Sequence, residues 1–136
     1  MNFAKIEFAS RSVNESFARN TVAAFLLQYD PTLETLADIK TAVSEAVTNS
    51  IVHGYRECDG PVLMELRSDG KVFTVTIEDY GCGIPDIEKA RQPLFTTQSE
   101  EERSGMGFTV MEMFMDKVEV VSRVNVGTKV IMTKRL

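Results

Sequence analysis

VLMELRSDGKVFTVTIED, residues 62–79, holds two runs rich in β-branched and aromatic residues on either side of Asp69-Gly70. Asp-Gly between such runs marks a tight hairpin, because both turn positions tolerate a positive φ. The period of two places Phe73, Val75, Ile77 and Asp79 on one face of the second strand. Thr74, Thr76 and Glu78 take the other. A carboxylate therefore closes an apolar face, where it is costly unless hydrogen-bonded or paired. Two readings stay open at this point. Either Asp79 caps the turn after the strand, or it accepts a hydrogen bond from a ligand's amino group.

Upstream, Ala4, Ile6 and Phe8 alternate with Lys5 and Glu7, as in a half-buried strand. Helical spacing from Ser12 to Gln28 predicts an inward stripe of Val13, Phe17, Thr21, Ala24 and Phe25. Arg11, Glu15 and Arg19 then form an outer polar side. Asp30-Pro31 breaks the pattern. A second helix is expected over Thr35 to His53, with Ile39, Val43, Ala46, Val47 and Ser50 inward and Gly54 as its C-cap. Asp59-Gly60-Pro61 reads as a turn. Downstream, a compact helix is expected over Phe108 to Met115, with Met106, Met111, Met113 and Met115 in the core. Strands follow over Lys117–Arg123 and Thr128–Lys134.

Between Tyr80 and Gly107 lie four glycines in two pairs, two prolines and the run Glu100-Glu101-Glu102-Arg103. A short helix over Asp86–Ala90 interrupts a segment too long for an ordinary connection. Strands cluster instead of alternating with helices. The expected architecture is an α/β sandwich over residues 1–136, a single domain. It has a mixed, largely antiparallel sheet with helices on one face, and no doubly wound dinucleotide-binding unit.

Composition narrows the function. Of 136 residues, 43% are apolar and 26% charged, an ordinary globular balance. Fifteen Lys and Arg against 20 Asp and Glu give a net charge of −5, which argues against a nonspecific nucleic-acid binder. Cys58 and Cys82 are too few for a disulfide scaffold or a four-thiolate zinc site. His53, the single histidine, leaves little room for a multi-histidine metal site or a Ser-His-Asp hydrolase. No run approaches the ~20 apolar residues of a membrane span. The expectation is a soluble, cytoplasmic protein.

Several residues offer chemistry. Gly81 and Gly83 follow Asp79 and let a ligand approach the backbone closely. Gly105 and Gly107 precede a helix start, where free N–H groups attract anions. No P-loop run and no Gly-x-Gly-x-x-Gly occurs after a strand. Glu45 and Asn49 share a helix face opposite the apolar stripe. That face is either solvated, or it offers a hard oxygen for Mg²⁺ from Asn49 and a proton acceptor in Glu45. Cys82 is read as a small filler in the turn.

Taken in order, Glu45-Ala-Val-Thr-Asn49 with His53-Gly54, Asp79-Tyr-Gly81-Cys-Gly83-Ile-Pro85, Gly105-Met-Gly107-Phe and Gly127-Thr128 resemble a known motif set. It belongs to the ATPases and kinases that include gyrase B, Hsp90, histidine kinases and MutL. The resemblance covers nearly the whole chain. Neither a segment bearing a phospho-acceptor histidine nor a transducer domain is seen. What remains resembles the minimal anti-sigma-factor serine kinases of spore-forming bacteria.

That resemblance implies a Bergerat-type ATP-binding fold using ATP/ADP and Mg²⁺. Asp79 would bind the adenine amino group with Thr128 nearby, and Gly81 and Gly83 would shape the purine pocket. Asn49 would hold Mg²⁺, and Glu45 would be the general base. Residues 84–106 would form a lid ending at Gly105 and Gly107, with Arg103 near the γ-phosphate. It further implies a homodimer, a sporulation sigma factor as partner and an anti-anti-sigma protein as substrate, without direct nucleic-acid or membrane binding. Arg11, Glu15 and Arg19 on the first helix, together with the lid, are the candidate partner contacts. The alternative is a nucleotide-switched binding module that sequesters a transcription factor without significant phosphoryl transfer.

Overall fold

The computed structural model describes residues 1–55, 59–84, 87, 91 and 107–136. Its elements run β1 (Asn2–Ala9), α1 (Asn14–Leu27), α2 (Leu33–Asn49), a π-helical turn (Ser50–Gly54), β2 (Pro61–Ser68), β3 (Val72–Asp79), α3 (Gly107–Phe114), β4 (Lys117–Arg123) and β5 (Gly127–Arg135). The strands form one sheet in the order β1-β2-β3-β5-β4. Every neighbouring pair is antiparallel, so the sheet is not mixed.

The β2–β3 hairpin turns at Asp69-Gly70, with only Gly70 of the pair at positive φ and Asp69 acting through its side chain. Gly70 has φ +93°, and Asp69 Oδ1 accepts the N–H groups of Lys71 and Val72 at 2.9 and 3.0 Å. Inward residues of the sheet (Phe8, Val62, Met64, Leu66, Phe73, Val75, Ile77, Val130 and Met132) are buried with Val22, Leu26, Ile39, Val43, Val47 and Met111 of the helices. The expected α2 stripe is buried throughout. That helix starts two residues before the expected Thr35, because the Thr32 hydroxyl accepts the Thr35 N–H at 3.0 Å and caps it.

Helix α1 is rotated relative to expectation. Ala18, Val22, Phe25 and Leu26 are buried, whereas Val13 is 72% and Phe17 49% exposed. Small and aliphatic side chains four apart allow close approach to α2. Phe17 stands edge-on to Phe8 of β1, ring centroids 6.2 Å apart. The supposed outer polar side turns partly toward α2. Thr48 of α2 donates to the Glu15 carboxylate, and Arg19 donates to Ser16 Oγ at 2.9 Å and Ser44 Oγ at 3.4 Å. Arg11 alone of the three is fully exposed.

Two further expectations change. Gly54 is not a left-handed C-cap: it lies within the π turn, and a Cβ there would stand 2.9 Å from the Asp79 carboxylate. Met113 is exposed, because α3 turns Phe108 and Met111 inward and leaves the opposite side to solvent. Cys58, Met106, Arg103, Gly105 and nearly all of the expected lid and of its short helix lie outside the described residues. Within that stretch, the Arg91 N–H donates to the Ile87 carbonyl at 3.1 Å, and its guanidinium reaches Glu112 of α3 and the Val118 carbonyl of β4.

Candidate functional site

Strand β3 delivers Asp79 to the edge of the core with 3% of its surface exposed. One carboxylate oxygen accepts the Gly81 N–H at 3.0 Å. Burial pushes its pKa above the ordinary carboxylate value. The Gly81 N–H, the Ser50 hydroxyl and the Thr128 backbone oppose that rise without cancelling it. Thr128 is its register partner across β3 and β5, on the same face.

The loop after Asp79 is held from both sides. On one side, the Tyr80 N–H donates to Tyr55 Oη at 2.7 Å, while that hydroxyl donates to the Pro61 carbonyl at 2.7 Å. The Cys82 N–H donates to the Gly54 carbonyl at 2.9 Å, and its thiol lies 3.1 Å from the His53 carbonyl. On the other side, the Asn125 N–H donates to the Cys82 carbonyl at 2.7 Å, and the Ile84 N–H to Ser122 Oγ at 2.7 Å. A Cβ on Gly81 would stand 1.9 Å from the Gly54 carbonyl oxygen. One on Gly83, whose φ is +77°, would stand 2.1 Å from that of Arg123. Side chains are thus excluded from the loop at both glycines.

Helix α2 supplies the rest. Glu45 and Asn49 are half-buried. Their face is not opposite all packing, because α3 lies over α2. A Cβ on Gly107, its first residue, would approach the Asn49 amide to 3.1 Å. Asn49 leads directly into Ser50, whose hydroxyl serves Asp79, so the α2 end and the β3 end belong to one site. Among the described residues no group of three or more His, Cys, Asp or Glu side chains could hold a metal. A divalent ion here would take the Asn49 oxygen together with ligand oxygens, which is the habit of Mg²⁺ at phosphates.

Residues 8–134 match the family described as histidine kinase-like ATPase domain. The chain is 58% identical over 133 residues to the anti-sigma F factor of Clostridium kluyveri, covering 98% of this chain and 94% of that protein. It is 56% identical over 132 residues to the anti-sigma F factor of Bacillus subtilis, covering 96% and 90%. The chain belongs to the anti-sigma F family of histidine kinase-like ATPase domains. The fold agrees. The RsbU and RsbW domains of Rv1364c from Mycobacterium tuberculosis superpose with a TM-score of 0.73 at 19% identity, over 100% of this chain and 33% of that one. The catalytic domain of the histidine kinase ThkA gives 0.61 at 17% identity, over 99% and 96%.

For this anti-sigma F family member, the structure brings Asp79, Gly81, Gly83 and Thr128 together at the end of β3, with Gly107 beside Asn49 at the α2–α3 junction and Glu45 one turn back along α2. Sequence reasoning missed Ser50, Tyr55 and Ser122. Ser50 falls on the apolar stripe of α2, and nothing local to Tyr55 or Ser122 signals partners 25 and 38 residues away. Among the described residues of this family member, no helix is long and apolar enough to cross a membrane.

Proposed function

We propose that the chain is an ATP-dependent serine-protein kinase. It binds and inhibits a sporulation sigma factor, sigma F, and phosphorylates that factor's anti-anti-sigma protein on serine. The observation that carries this reading is the Asp79 carboxylate, buried at a strand end and walled by glycine backbone. Such a group is tolerated where a ligand donor completes its hydrogen bonding. The adenine amino group is that donor, with Thr128 beside it, and Gly81 and Gly83 leave the purine its space. The Gly107 N–H, at the start of α3, faces phosphate. Gly105 and Arg103 serve the phosphates in the same reading.

Asn49 holds Mg²⁺, which when bound neutralises and orients the phosphates. Glu45 takes the proton of the acceptor serine as its oxygen attacks the γ-phosphorus and the bond to ADP breaks. Positioning and charge stabilisation contribute most of such a transfer. Sequestration uses the segment entering α1, where Arg11 and Val13 are exposed just before the helix and exposed Phe17 stands beside the half-buried Glu15 and Arg19. A homodimer belongs to the same reading, and the edge strand β1 with exposed Phe3 is available to it.

The test is incubation with labelled ATP and the anti-anti-sigma protein, followed by phosphoserine analysis. Wild type labels serine. Glu45→Ala keeps ATP affinity and loses about 10²- to 10⁴-fold in transfer, the usual contribution of a general base. Nucleotide-dependent sequestration without any phosphoserine would favour the binding-module alternative instead.

A further inference from the structure

The Ser122 hydroxyl has three polar neighbours. The Ile84 N–H donates to it at 2.7 Å, the Gly127 carbonyl lies at 3.0 Å and Thr128 Oγ1 at 2.8 Å. Distance alone leaves the direction of the Ser–Thr bond open. Satisfying all three contacts at once requires one arrangement. A carbonyl oxygen has no proton to give, so the Gly127 contact requires Ser122 to donate, and a serine hydroxyl has only one proton. Its oxygen must then accept from both Ile84 and Thr128. Thr128 spends its single proton on Ser122 and keeps only lone pairs for any further partner. Because Thr128 faces Asp79 across the β3–β5 register, two acceptors stand side by side at this end of the sheet.

We infer that Ser122 is a positioning residue that sets the purine selectivity of the site. By taking the Thr128 proton, it makes a wall of two acceptors. A 6-amino purine brings two N–H hydrogens on one nitrogen to that wall. A 6-oxo purine brings one donor, N1–H, and sets its O6 against lone pairs. The inference rests on the nucleotide-binding reading above and adds to it the residue that enforces discrimination. Ser122 is half-buried on β4 and needs no contact with the base.

The test compares dissociation constants of ATP and ITP for wild type, Ser122→Ala and Ser122→Thr, with thermal unfolding of each to establish that it is folded. In Ser122→Ala the Thr128 hydroxyl is free to turn its proton toward the base. The ITP/ATP ratio of dissociation constants falls about tenfold, one hydrogen bond's worth. Ser122→Thr restores the ratio. Should Ser122→Ala fail to fold, Thr128→Val removes the second acceptor directly and lowers the ratio in the same sense. An equal loss of affinity for both nucleotides would mean that Ser122 merely braces the Ile84 loop, and an unchanged ratio in Thr128→Val would remove the second acceptor from the account; either overturns the proposal. Wild type that binds neither nucleotide overturns the reading beneath it, a result distinct from lost selectivity.

Discussion

At Asp79, burial and hydrogen bonding pull the proton equilibrium in opposite directions, and burial wins. The sign for stability follows. With the folded pKa above the unfolded one, the folded chain holds a proton in a pH window where the unfolded chain has released it. Folding without nucleotide is therefore helped as pH falls through the raised pKa, and that help is lost as pH rises. Asp79→Asn, uncharged throughout, should be more stable than wild type at pH 7.5 without nucleotide. The gap should narrow toward acid pH, as read by urea denaturation at both values. The same variant should bind ATP roughly 10- to 100-fold more weakly, since hydrogen bonds to charged groups contribute about 1.5–3 kcal/mol. Asp79 was legible because strand period alone sets it on the apolar face. Ser50, Tyr55 and Ser122 were not, because each acts through a partner on another element.

Elements with one clear pattern were legible, and those with two were not. The hairpin at Asp69-Gly70 and the stripe of α2 each offered a single solution. Helix α1 carries apolar residues on both sides, so periodicity could not choose; packing against α2 selected Ala18, Val22 and Leu26. Leu26→Ala should therefore cost about 2–5 kcal/mol in urea denaturation, while Val13→Ala should stay within about 0.5 kcal/mol. The polar face of α2 was misplaced for a different reason. The helix that half-covers Asn49 begins at Gly107, far along the chain. In the loop after β3, Gly83→Ala meets both a left-handed φ and the Arg123 carbonyl. The conformational part alone costs about 1–2 kcal/mol. The variant should unfold at lower temperature than wild type and bind ATP weakly, as read by a thermal melt with and without nucleotide.

Across the whole molecule, the antiparallel order places β3 at the centre of the sheet, with β2 and β5 beside it. The end of β3, the π turn after α2 and the turn between β4 and β5 consequently meet at one point. Two separate segments grip the loop that follows Asp79, so the site is a product of the topology and not of any one motif. An acidic chain with net charge −5 attracts no polyphosphate by its overall field, and local N–H groups must do so. The most direct measurement is a crystal structure of the chain with ADP and Mg²⁺. The account predicts the adenine amino nitrogen about 2.7–3.2 Å from an Asp79 carboxylate oxygen. A base lodged elsewhere, or a carboxylate rotated away from it into solvent, would contradict the account.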